Sequence, residues 1–166
     1  MSPKVALIMG SDSDLPALRS CISALKNFGI EVEARVISAH RTPDAAATFA
    51  KNAKDRGFSV IIGAAGKAAH LPGVLAAFTT LPVIGIPIKS STMDGLDSLL
   101  SIVQMPKGIP VATVAIDGGD NAAILAAQMI ALSNADVAKK LEEHKINMLR
   151  EVGEKDARLQ EELKNI

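Results

Sequence analysis

The heptad Ser38-Ala39-His40-Arg41-Thr42-Pro43-Asp44 sets an imidazole and a guanidinium side by side just before a helix start. Thr42, Pro43 and Asp44 are accounted for by that start: a hydroxyl at the N-cap, proline at the first helical position and a carboxylate in the first turn. Arg41 is not. The free N–H groups of a helix beginning favour negative neighbours, so a cation there points to an external anion held jointly by Arg41 and the helix terminus. Imidazole titrates near neutral pH and can both give and take a proton, which makes His40, beside that anion site, the candidate general acid–base.

Two further stretches offer complementary chemistry. Gly10-Ser11-Asp12-Ser13-Asp14 opens a helix whose Pro16 suits a first turn, with Asp14 as the expected N-cap. The Ser11 and Ser13 hydroxyls suit phosphate and the Asp14 carboxylate suits sugar hydroxyls; a purely structural serine turn with a capping aspartate would read the same way. Gly63-Ala64-Ala65-Gly66-Lys67-Ala68-Ala69-His70-Leu71-Pro72-Gly73 carries no bulky side chain before His70 and offers mostly backbone, on which a flat ligand can lie. Its glycine spacing makes neither a triphosphate-binding loop nor a dinucleotide fingerprint, so a nucleoside triphosphate and NAD are both disfavoured. A phosphoacceptor domain is disfavoured because the third strand ends without aspartate and the fifth without lysine. Asp12 and Asp14 alone would leave a magnesium ion under-liganded, and no metal is expected.

These three stretches each follow a short apolar run rich in β-branched residues. Five such runs recur, Val5–Met9, Val32–Ile37, Val60–Gly63, Val83–Ile86 and Val111–Ile116, and segments of helical period lie between them, among them Leu15–Phe28 and Pro43–Arg56. Alternating strands and helices predict an α/β domain of three layers, a parallel sheet covered on both faces. The second run alternates polar with apolar (Glu31, Glu33 and Arg35 against Val32, Ala34 and Val36), the pattern of an edge strand. That gives the flavodoxin-like order 2-1-3-4-5, with the ligand expected at the switch point between strands one and three. The loops leaving strands one, two and three are the three stretches above.

With 166 residues, 48% apolar and 18 basic against 18 acidic side chains, the chain fits one globular body with no charge field to attract nucleic acid or an anionic membrane. One cysteine, Cys21, precludes an internal disulfide and fits a reducing cytoplasm. Neither an export signal nor an apolar run of membrane-spanning length is visible. Four phenylalanines, with no tyrosine or tryptophan, leave little to sandwich a flavin ring. The composition changes near residue 136: 15 of the last 31 residues are charged against 21 of the preceding 135. Residues 1–135 are therefore read as the catalytic α/β domain and 136–166 as a charged helical arm. Its narrow stripe of Val137, Leu141, Leu149, Val152, Leu159 and Leu163, with a break expected at Gly153, needs a partner, either its own domain or a neighbouring subunit.

The blocks Gly-Ser-Asp-Ser-Asp (10–14), Ser-Ala-His-Arg-Thr-Pro (38–43), Ala-Ala-His-Leu-Pro-Gly (68–73) and Ser-Leu-Leu-Ser-Ile-Val-Gln-Met-Pro (98–106), with Asn-Ala-Ala at 121–123, resemble the N5-carboxyaminoimidazole ribonucleotide mutases of bacterial purine biosynthesis. The resemblance runs from Lys4 to about Asp136, with Lys67 standing where many members have glycine. It implies a cofactor-independent isomerase that moves a carboxylate from the exocyclic nitrogen of an aminoimidazole ribonucleotide to ring carbon C4, with His40 as proton shuttle. By the same resemblance Ser11, Ser38 and Arg41 hold phosphate, Asp14 the ribose, Ser13 and His70 the carboxylate or ring edge. The ring itself falls to the backbone around Gly66, Lys67 and Ala68, next to Leu71. The family also implies a homo-octamer, whose terminal helices reach neighbouring subunits. Relatives that use free carbon dioxide have Lys-Thr in place of Arg-Thr-Pro and lack His-Leu-Pro-Gly, so the mutase is favoured over the carboxylase. A non-catalytic nucleotide-binding module is the alternative of another class.

Overall fold

The computed structural model describes residues 2–166. Its elements alternate as the hydrophobic pattern predicts: β1 Lys4–Met9, α1 Leu15–Asn27, β2 Glu31–Val36, α2 Pro43–Asn52, β3 Phe58–Gly66, α3 Leu71–Ala77, β4 Val83–Ile88, α4 Leu96–Val103, β5 Ala112–Thr113, α5 Gly119–Ala131 and α6 Ala135–Leu163. Every strand pairing is parallel, and the order is β2-β1-β3-β4-β5. β1 and β3 run apolar on both faces because each face meets a helical layer. Val5, Leu7 and Met9 pack with Val60 and Ile62 against Leu18, Cys21 and Leu25 of α1 and the alanines of α5. Ala6, Ile8 and Ile61 turn the other way, onto Phe49 of α2, Leu75 of α3 and Ile102 of α4.

One close approach positions the site. A β-carbon on Gly63 would lie 3.1 Å from Pro72 Cα and 3.3 Å from Leu75 Cδ1. The missing side chain lets α3 settle directly on β3, which brings its first turn, and His70 just ahead of it, to the end of the sheet.

Several expectations are corrected. β3 runs to Gly66, so the third loop is shorter than Gly63–Gly73, and α2 ends at Asn52 rather than Arg56. β5 pairs only at Ala112 and Thr113 instead of over Val111–Ile116. Its neighbour explains this: the β4 carbonyl that accepts the Asp117 N–H at 2.8 Å belongs to Pro87, which has no N–H to return to the ladder. Neither Asp14 nor Thr42 caps its helix through the side chain. Ser11 instead caps a 3₁₀ turn at Asp12–Asp14, and that turn leads straight into α1.

The terminal helix resolves into two halves. Asn134 caps it, its Oδ1 accepting the Val137 N–H at 3.1 Å. Val137 is buried, Leu141 packs on the core, and the His144 ring stands edge-on to Phe28 with centroids 5.7 Å apart. Beyond His144 the stripe residues Leu149, Val152, Leu159 and Leu163 are exposed, and the helix passes through Gly153 without a break. No helix among the described residues is long and apolar enough to cross a membrane.

Candidate active site

The three predicted loops meet at the C-terminal end of the sheet. After β1, the Ser11 hydroxyl accepts the Ser13 N–H at 3.3 Å and the Ser13 hydroxyl at 2.8 Å, so the two serines form one hydrogen-bonded unit. Asp14 sits behind them, half-buried. Burial pushes its carboxyl above the usual range, while bonds from the Ser11 backbone and the Ser13 hydroxyl pull the other way.

After β2, the chain folds over Ser38. Its hydroxyl accepts the Arg41 N–H at 3.2 Å, and its backbone is clasped by Thr42, whose hydroxyl accepts the Ser38 N–H at 3.0 Å and donates to the Ser38 carbonyl at 2.9 Å. This clasp occupies the side chain that sequence assigned to capping. Arg41 Nη2 donates to the Gly10 carbonyl at 3.3 Å and so ties the second loop to the first. No carboxylate lies within ion-pair distance of Arg41 or Lys67 among the described residues, which leaves both charges for an external anion.

After β3, Lys67 takes a left-handed conformation, φ +56°, where glycine is the ordinary occupant. His70 follows at the head of α3. Its Nδ1 lies 2.9 Å from His40 Nε2, with the rings edge-on and their centroids 5.0 Å apart. One hydrogen serves that contact, donated by one ring and accepted by the other, which fixes the tautomers of the two imidazoles relative to each other.

A cleft of about 500 Å³ collects these groups. Every predicted site residue lines it except His70, which reaches it through His40. Sequence reasoning missed a fourth wall, Ile88 to Ser91 after β4. The signal was there: Lys89-Ser90-Ser91 is another small polar stretch leaving a strand, beside the loops already singled out. Lys89 is held by its N–H, donated to Asp117 Oδ1 at 2.9 Å, and the buried Ser90 hydroxyl donates to Asp97 at 2.7 Å. No group of three or more metal-ligating side chains occurs among the described residues.

Residues 4–151 match the family model described as AIR carboxylase. The chain belongs to the AIR carboxylase family. Relatives of this family member include the N5-carboxyaminoimidazole ribonucleotide mutases of Thermotoga maritima and Pyrococcus horikoshii. Each is 55% identical over 159 residues, covering 96% of this chain and 93% and 90% of theirs. Among solved structures, Treponema denticola PurE superposes with a TM-score of 0.86 at 31% identity, over 95% of this chain and 98% of that one. The AIR carboxylase family match therefore spans the whole α/β body, including all four walls of the cleft.

Proposed function

We propose that the protein is an N5-carboxyaminoimidazole ribonucleotide mutase of purine biosynthesis, converting that carbamate to 4-carboxy-5-aminoimidazole ribonucleotide. The near-full-length likeness to the named mutases supports this reading, and the observation that carries the mechanism is the His40–His70 pair standing over a cleft with two unpaired cations.

In this reading Ser11, Ser38 and Arg41 take the phosphate, where hydroxyls, backbone N–H groups and a guanidinium converge. Asp14 accepts from the ribose hydroxyls. Ser13 and His70 meet the carboxylate or ring edge, and the backbone of Gly66, Lys67 and Ala68, with Leu71 beside it, beds the imidazole ring. His40 protonates the exocyclic nitrogen as its bond to the carboxyl carbon breaks, releasing carbon dioxide and the free amine. The carbon dioxide then bonds to C4, and the neutral His40 recovers a proton from that carbon, so the enzyme ends in the state in which it began. Keeping the gas beside the ring replaces a second diffusional encounter with an intramolecular one, a gain of up to several kcal/mol. Nothing in the cycle calls for a redox group or a Lewis acid. The enzyme works in the cytoplasm as an octamer in this reading, the exposed half of α6 packing on a neighbouring subunit.

His40→Asn removes the titrating group and keeps a polar side chain of similar reach. Turnover should fall by about 10²–10⁴-fold or more, with the circular dichroism spectrum and aminoimidazole ribonucleotide affinity nearly unchanged. Wild-type turnover in that variant would overturn the assignment. Assays with and without added bicarbonate separate the mutase from a carboxylase: the mutase consumes the carbamate without it, whereas a carboxylase needs it and ignores the carbamate.

A further inference from the structure

We propose that Ser98 of α4, outside the cleft, is a positioning residue that holds Lys67 left-handed and thereby aims His70 at His40. The inference rests on the cleft being the active site.

Ser98 is fully buried on the inner side of α4, beside Ile102. A hydroxyl so placed is costly unless it is bonded, and its partner is the Lys67 N–H, donated at 2.7 Å. One turn further along, the single Ser101 hydroxyl hydrogen is shared between the Asp97 carbonyl at 2.7 Å and, more weakly, the Lys67 carbonyl at 3.3 Å. α4 thus grips both polar groups of a single residue. That residue has φ +56°, a conformation that a side chain with a β-carbon keeps only when its surroundings impose it. The path onward depends on it: the Lys67 carbonyl accepts the Ala69 N–H at 2.8 Å, and the Ala68 carbonyl accepts the His70 N–H at 2.8 Å. Two successive tight turns, anchored by the buried Ala69, carry the chain from the end of β3 to the imidazole that meets His40 at 2.9 Å. Without the Ser98 hydroxyl the Lys67 N–H has no partner, Lys67 drops out of the left-handed region, and His70 moves off His40. Glycine at 67 would reach the same conformation unaided.

Four proteins test this: wild type, Ser98→Ala, Lys67→Gly and the double variant. Each is assayed for kcat/KM on the carbamate, with thermal unfolding confirming that it is folded. Ser98→Ala should lower kcat/KM about tenfold or more in the lysine background and less than about threefold in the glycine background. An equal loss in both backgrounds, or a lower melting temperature with kcat/KM unchanged, would overturn the proposal. A crystal structure of Ser98→Ala decides it without substrate. Lys67 outside the left-handed region with the two histidines apart supports it; φ still near +56° with their contact intact refutes it. If the wild type leaves the carbamate untouched, the proposed function fails and the crystal structure still judges Ser98.

Discussion

His40 and His70 share one hydrogen in a contact that lies on an exposed rim, so substrate arrival has to compete with a neighbouring imidazole rather than with bulk water alone. Asp14 has the opposite environment. Because burial raises its carboxyl above the ordinary range, ionising it costs the folded state, a penalty present above the folded pKa and relieved as pH falls through it. Asp14→Asn should therefore raise the melting temperature at pH 7, with the gap to wild type closing as pH drops toward about 4, while weakening ribonucleotide binding. Thermal unfolding across pH, paired with calorimetric titration, reads both effects. Cys21 is buried under α5, and burial foremost, with the Asp120 charge behind it, pushes its thiol up to about 12. An aromatic disulfide reagent at pH 8 should leave the native thiol intact and react once denaturant opens the core.

Element by element, what the sequence showed best was what periodicity controls. Glu31, Glu33 and Arg35 against Val32 and Ala34 marked β2 as an edge, and the observed ion pairs explain why those charges are tolerated: Glu33 meets Arg56 at 2.7 Å and Lys4 at 3.0 Å. Both partners hold its carboxyl below the usual range, so they favour the fold above that range and the benefit is lost in acid. Side-chain partners were less legible. Thr42 and Asp14 have the right types for caps, but a hydroxyl beside a folded-over loop finds the Ser38 backbone first, and Asp14 lies already inside a turn capped by Ser11. The grip of α4 on Lys67 spans 31 residues of sequence and leaves no local trace in it. Gly63 illustrates how an element's seat reaches the chemistry. Gly63→Val forces α3 off β3, and should cost about 1–3 kcal/mol by chemical denaturation together with most of the turnover.

For the molecule as a whole, the sheet order and switch-point cleft followed from the strand pattern, whereas the division of α6 did not. Its charged composition is uniform, and only the position of Phe28 and the core decides where packing stops. Under the octamer proposal, truncation after Lys145 should keep the α/β body folded, with a cooperative transition near the wild-type one, and lower the mass on gel filtration to that of single protomers. A mass unchanged by truncation would place the subunit interface elsewhere.

The unsupported half of α6 has a kinetic corollary. From Ile146 to Leu163 the helix extends roughly 27 Å at 1.5 Å per residue, with every residue along it exposed. Backbone amides there are guarded only by their own helical turns, so in a lone protomer they should trade hydrogen for deuterium within seconds, and slow sharply once another copy lies against them. Exchange along those eighteen residues would work as a built-in gauge of crowding, reporting how many protomers have found company at any dilution.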